Sequence, residues 1–264
     1  MVRLQTQLLA EFNPLAHSQS VPLFHLGPLV VTNHMLMVAL AAGLLMWLFP
    51  RAVRSKELAP GPWHNAIEAV CEYFREQVAR PMLHEHTDRY IGFIWTMFFF
   101  VLTMNLLGMV PVGRFVTLVS RRECHTWGAA TSDIWVTGAL ALVSFVMTHA
   151  CGIKHQGVVR YAASFTPPSP WWIRPFLFLT EMISTFIKPM SLAIRLFANI
   201  VAGHILLATC IGMIIIFKSF GVATASVAVT VALSSLDVLV AFIQAFIFAF
   251  LCALYISFSI APQH

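Results

Sequence analysis

Charge is what this chain has least of. Only 10% of its 264 residues are Asp, Glu, Lys or Arg, against 59% hydrophobic, and the mean hydropathy is +0.80. A soluble domain carries about 25% charged residues, so this composition cannot cover a core with a water-facing surface. Combined with apolar runs of about 20 residues or more, the deficit makes lipid the solvent for most of the chain. Cysteine pairing is missing as well: Cys71, Cys124, Cys151, Cys210 and Cys252 lie far apart with no CxxC. That spacing offers neither a disulfide framework nor a zinc site, and leaves the cysteines as small hydrophobes inside helices. There is no Gly-rich phosphate loop. No basic run is interleaved with aromatics, so the formal charge of +5 reads as membrane topology and not as a nucleic-acid footprint. Between Met1 and Gly27, Glu11, Asn13, His17 and Gln19 interrupt any apolar stretch that could serve in a cleavable signal. The first hydrophobic segment is therefore expected to insert and stay.

What is there is a series of apolar segments. Residues 1–28 form an outer N-terminal segment, and 29–264 a single membrane domain. Spans are expected at about 29–49, 90–111 and 134–153. Between the first two, residues 62–89 mix charges with Ile67, Val70, Cys71, Phe74 and Val78 at helical spacing, the pattern of an amphipathic helix on the membrane surface or against other helices. A Pro- and Trp-rich connector, Thr166 to Trp172, precedes two very long apolar stretches, 176–217 and 221–260. Lys and Arg are denser in the set Arg51, Arg54, Lys56, Arg75, Arg80, Arg89, Lys154, Arg160 and Arg174 than in Arg3, Arg114, Arg121, Arg122 and Lys218. The denser set should face the cytoplasm, with the N-terminus outside and the C-terminus cytoplasmic.

A helix of about 42 residues is about 63 Å long, against about 30 Å of hydrocarbon. Neither long stretch contains a polar part fit for water. The two are expected to form a hairpin lying strongly oblique to the membrane, with Pro189 bending the first; two sets of shorter upright helices are the alternative. The fold class expected is an all-α integral membrane protein of about five to six helices, including that long, tilted C-terminal hairpin.

The ionisable groups inside these stretches are few and aligned. Glu181, Lys188 and Arg195 recur every seven residues, and Asn199 returns to the same arc. Ser191, Ala198 and Ala202 lie beside Arg195, small enough to admit a partner helix. On the final helix Asp237 and Gln244 share a face, with Thr230 and Tyr255 extending the line. A charge at the bilayer centre costs from about 2.5 to more than 10 kcal/mol, so such groups mark a pathway, a relay or a structural ion pair. Arg stays protonated at any working pH, whereas Glu, Asp and His exchange protons when burial shifts them. A fixed cation amid proton exchangers suits a proton path with a barrier in it. A static pair of Arg195 with Asp237 or Glu181, and a secondary transporter with an Arg/Asp site, are the competing readings. Other signals are weaker. Asn105 is either helix–helix glue or part of a pathway, His84 and His86 sit in a charged surface stretch, and haem on His34 and His149 would need them to face one another.

SLAIRLFANIVAGH, Ser191 to His204, resembles the most characteristic motif of the a-subunit family of F-type ATP synthases, and LDVLVAFIQAFIFAFLCALY, Leu236 to Tyr255, resembles that family's final helix. FVLTMNLLGMVP, Phe100 to Pro111, is similar to its second span, and SDIWVT, Ser132 to Thr137, to its polar lead into the third. The likeness runs from about Pro62 to the C-terminus. It implies a non-catalytic, proton-translocating stator subunit with no cofactor and no metal, working beside a ring of c subunits and the subunit b stalk. Arg195 would be the essential arginine, with Asn199, His204, Asp237 and Gln244 lining the outer half-channel; Asn105 of the second span is counted among the proton-translocating residues. Glu181 and Lys188 would lie near the cytoplasmic half-channel. Gly108 stands where some members carry an acid, so an outer entrance group is absent there or supplied elsewhere. A bacterial inner membrane is the expected location, a mitochondrial inner membrane the alternative.

Overall fold

A computed structural model describes residues 22–26, 29–53, 61–109, 131, 133–164, 169–217 and 219–260. Two short antiparallel strands come first, β1 (Pro22–Leu26) and β2 (Leu29–Thr32), with Leu26 opposite Leu29 and His25 opposite Val30. The span expected from residue 29 therefore starts as a strand, because Val30, Val31 and Thr32 are β-branched and favour extended backbone. The helix α1 begins at Asn33 and runs to Val53. Its first backbone donors find local oxygens: His34 N–H donates to Asn33 Oδ1 at 3.0 Å and Met35 N–H to Thr32 Oγ1 at 3.5 Å.

The amphipathic segment is more broken than its periodicity implies. Helix α2 (Pro62–Tyr73) passes into a π-helical turn, Phe74–Ala79, then α3 (Arg80–Leu83) and a 3-10 turn, His84–His86, before α4 (Thr87–Met109). Pro81 explains the wide turn: it has no N–H, and its ring would meet the carbonyl of Gln77 in a regular helix. His84 adopts φ 46, and Thr87 Oγ1 donates to its carbonyl at 2.7 Å. That break turns the chain back on itself. Arg75 pairs with Asp88 at 2.6 Å, Trp95 Nε1 donates to the Cys71 carbonyl at 3.0 Å, and the Phe74 and Phe98 rings lie 4.6 Å apart. The amphipathic arm thus packs antiparallel to the start of α4.

Helix α5 (Ile134–Gln156) is opened by Asp133, whose Oδ1 accepts the Trp135 N–H at 2.9 Å, and closed by Gly157 at φ 77, the left-handed position that suits glycine. A short α6 (Val158–Ser164) follows. Then come the two long helices, α7 (Arg174–Phe217, 44 residues) and α8 (Phe220–Ile260, 41 residues). Neither breaks into shorter helices, and α7 continues through Pro189. Pro175 sits in the first turn of α7, where its missing N–H costs nothing. By length and composition, Asn33–Arg51, Pro62–Met109, Ile134–Gln156 and Phe220–Ile260 are apolar enough to cross a membrane. The architecture is that of an all-α, multi-pass membrane protein, with a small β-hairpin just before α1.

The chain divides into two compact units. Unit 1 comprises residues 1–40, 104–136 and 195–243; unit 2 comprises 41–103, 137–194 and 244–264. Unit 2 has a large apolar core, with Phe74, Ile94, Phe98, Val101, Phe248, Cys252 and Ile256 all fully buried.

Candidate functional site

Asp237 is the acid whose setting the structure makes plainest. A Cβ built on Gly203 of α7 would lie 2.9 Å from Asp237 Oδ2 and 3.4 Å from Oδ1. The carboxylate of α8 therefore lies against bare backbone of α7, in a place that only glycine leaves open. Gly203 was not singled out by sequence reasoning. The available signal was a glycine inside a helical pattern, next to the titratable His204. Asp237 is half-buried and, among the described residues, forms no ion pair.

Arg195 lies eight positions before Gly203 on α7, about 12 Å along the axis and about 80° around it. It is exposed in the single chain, as are Ser191, Ala198 and Ala202. Long apolar side chains of the same helix are also open, including Ile187, Met190, Ile194 and Leu206. The static pair between Arg195 and Asp237 is not formed: no ion pair of Arg195 occurs among the described residues. What α7 presents is a cation on a lateral surface flanked by small side chains.

Glu181 is exposed on α7, and Thr185 Oγ1 donates to its carbonyl at 2.8 Å. The side chains of Lys188, Asn199 and His204 lie outside the described residues; their backbone is helical. By helical geometry Asn199 falls about 40° around from Arg195, and His204 about 180°. Gln244, seven residues after Asp237 on α8, is 4% exposed, and its Nε2 has no hydrogen-bond partner.

Asn105 is fully buried near the end of α4, with no partner for either its Oδ1 or its Nδ2. Among the described residues, the helix–helix hydrogen bond open to it on sequence grounds is not seen. Thr131, also fully buried in unit 1, has an unpartnered hydroxyl. Sequence reasoning passed over Thr131 because a lone threonine in a polar loop carries no signal. His34 of α1, in the same unit, is 1% exposed.

Unit 2 gathers a different set. Tyr90 OH and His155 Nε2 are 2.8 Å apart, His86 and His155 rings are 4.7 Å apart, and Tyr161 OH bonds His149 Nδ1. Burial pushes the Tyr161 phenol up from its ordinary value. It therefore stays protonated beside His149. Ser144 Oγ meets Cys252 Sγ at 3.0 Å, Gln156 Nε2 donates to the Ser259 carbonyl at 2.6 Å, and Ser259 Oγ donates to the Thr148 carbonyl at 2.8 Å. These bonds tie α5 to the last turns of α8. Among the described residues no group of three or more His, Cys, Asp or Glu is placed to hold a metal ion, and Cys71, Cys151, Cys210 and Cys252 are free thiols.

A family profile described as ATP synthase A chain matches residues 35–257, which takes in α1, α4, α5 and both long helices. The chain belongs to the ATP synthase A chain family. It is 36% identical over 255 residues to the ATP synthase subunit a of Myxococcus xanthus, an alignment covering 94% of this chain and 79% of that one. It is 34% identical over 241 residues to subunit a of Chloroherpeton thalassium (88% and 67% covered), and 35% over 242 residues to that of Chlorobium phaeobacteroides (89% and 67% covered). As a member of the ATP synthase A chain family, the protein carries Arg195 on the open side of α7 and Asp237 on its Gly203 flank.

Proposed function

We propose that this protein is the proton-translocating stator subunit of an F-type ATP synthase, non-catalytic itself, passing protons to and from carboxylates on a ring of c subunits. The observation that carries the reading is Arg195: a permanent cation on an open side of α7, bordered by Ser191, Ala198 and Ala202 and, among the described residues, not neutralised by Asp237. Such a face fits an apolar partner helix that brings its own carboxylate. The small residues allow close approach, and the guanidinium attracts the ionised form.

The chemistry follows from charge cost. An ionised ring carboxylate cannot enter lipid, while its protonated form can. Arg195 holds the ionised carboxylate and bars a proton from passing straight between the two paths. His204, Asn199, Asp237, Gln244 and Asn105 line the outer path; Glu181 and Lys188 line the cytoplasmic one. Asp237, seated on Gly203 about 12 Å along α7 from Arg195, is near enough to pass protons toward the ring but too far to short-circuit the arginine. Each proton moved through 100 mV delivers about 2.3 kcal/mol, so several are needed for each ATP made by catalytic subunits elsewhere in the complex.

The helix lengths support an oblique hairpin: 44 and 41 residues correspond to about 66 and 62 Å, twice the hydrocarbon thickness. Subunit b of the stalk is the second expected partner. The Lys and Arg bias places the N-terminus outside and the C-terminus in the cytoplasm, in a bacterial inner membrane.

The test is Arg195→Ala in the assembled complex. Proton-driven ATP synthesis should vanish while the ring and the catalytic sector still co-purify. Coupled synthesis at the wild-type rate would refute the role.

A further inference from the structure

Unit 2 gathers basic groups that the arginine site does not use. The His86 and His155 rings are 4.7 Å apart, and Tyr90 OH lies 2.8 Å from His155 Nε2. That bond takes one ring nitrogen; among the described residues none is seen to the other. The charges of His86, Arg89 and Lys154 all bear on the His155 ring. Two permanent cations and two imidazoles therefore converge where the end of α5 meets the start of α4. No acid answers them. Among the described residues, Arg89 and Lys154 form no ion pair, Asp88 is taken by Arg75 at 2.6 Å, and the exposed Glu85 pairs with neither histidine. Helix electrostatics accounts for only part of the set. Lys154 and His155 suit the carbonyl end of α5, but Arg89 stands in the first turn of α4, where open N–H groups disfavour a cation. The neighbouring surface is apolar: Ile153, Val158 and Val159, on either side of Lys154 and His155 in the chain, are all exposed. The apolar span of α5 ends at Gln156, so the cluster stands where hydrocarbon gives way to headgroups.

We propose that Arg89, Lys154, His86 and His155 form a binding site for the phosphate of an anionic phospholipid, with its acyl chains against Ile153, Val158 and Val159. The guanidinium and ammonium hold the phosphodiester through charge-assisted hydrogen bonds, and basic pockets between helix ends at this depth are where acidic headgroups bind. The exposed valines favour a lipid over a soluble anion, because only a lipid brings apolar surface to cover them together with the charge. The bound headgroup neutralises the cations and holds the end of α5 against the start of α4. No proton transfer enters, so the site stands apart from the role of Arg195.

The experiment uses the complete ATP synthase complex in phosphatidylcholine vesicles carrying a trace of photoactivatable phosphatidylglycerol, and maps the cross-links on this chain by peptide mass spectrometry. In wild type, labelling should concentrate around Arg89 and Lys154, and unlabelled phosphatidylglycerol should displace it while phosphatidylcholine does not. Arg89→Gln and Lys154→Gln should each lower that labelling about fivefold, and the double variant about 25-fold. Arg160→Gln removes an exposed cation of α6 outside the set that bears on His155, and should leave labelling within about twofold of wild type. Equal labelling by photoactivatable phosphatidylcholine overturns the proposal, because it marks bulk lipid. Equal loss in Arg160→Gln and Arg89→Gln overturns it too, because that marks a diffuse surface field and no site. Displacement by inorganic phosphate assigns the cations to a soluble anion and overturns the lipid. Should the charge variants fail to assemble, the wild-type competition arms decide, since they need no substitution. Arg195→Ala keeps the two readings apart: it should label as wild type whether or not it still supports ATP synthesis.

Discussion

The two compact units of this chain bury different chemistry. Unit 2 packs phenylalanines: the rings of Phe74 and Phe98 are 4.6 Å apart, Phe74 and Phe246 5.4 Å, and Phe49 and Phe99 4.9 Å. Its polar side chains are spent on one another and on backbone carbonyls, as in Ser144 with Cys252 or Ser259 with Thr148. Unit 1 buries few large apolar side chains, Met37 and Met104 among them, alongside Asn33, His34, Asn105, Thr131 and Ser226. Among the described residues, Asn105 and Thr131 carry polar atoms with no protein partner. Burial alone therefore does not separate the two units; the state of the hydrogen bonds does. A satisfied polar group in lipid is a stitch between helices, and an unsatisfied one needs water or a mobile proton. Gln244 crosses this division: it belongs to unit 2 by contacts, yet its Nε2 is unpartnered and it follows Asp237 by two turns of α8.

The sharpest way to break this contrast is Asp237→Asn. The amide fits the Gly203 seat but cannot exchange protons, so coupled ATP synthesis should fall about 100-fold with the protein still inserted. Retained synthesis would make Asp237 as structural as Ser144. Gly203→Ala comes next. A Cβ 2.9 Å from Asp237 Oδ2 forces the carboxylate to move while keeping its chemistry. A loss of about tenfold is expected, with wild-type assembly and stability. An effect on stability alone would show that the seat is mere packing.

The smallest functional effect is expected from the same substitution in unit 2. At Gly152 a Cβ would overlap Ser259 Oγ and the Tyr161 ring, so Gly152→Ala should cost about 1–3 kcal/mol of stability. The thermal midpoint of the complex would drop, while proton conduction per assembled complex stays within about twofold of wild type. Alanine at two glycines would thus damage transport in one unit and stability in the other. If both variants lost stability and neither lost transport, the distinction between the units would be wrong.

Much of the site was legible in the residues because lipid makes charge so rare. Arg195, Asp237 and Glu181 stand out in long apolar stretches, where any ionisable group demands a reason. The helix periodicity that aligns Asp237 with Gln244 needs no coordinates. The turns were less legible. The π-helical turn at Phe74–Ala79 and the strand at Leu29–Thr32 arise from local competition at Pro81 and in a run of β-branched residues, which a hydropathy pattern averages away. Thr131, His34 and Gly203 were missed or set aside because their meaning depends on what lies opposite. A glycine signals a seat only once a carboxylate rests on it.

By itself, then, the order of residues determined the solvent, the number and length of the long helices, and the lone charges along them, because each follows from transfer cost and from the 3.6-residue period. Only the tertiary structure decided which polar groups of the described residues are paired, that Asp237 rests on Gly203 apart from Arg195, and that the arginine is exposed on α7. Those facts depend on distances between helices far apart in the chain, and no local rule of spacing contains them.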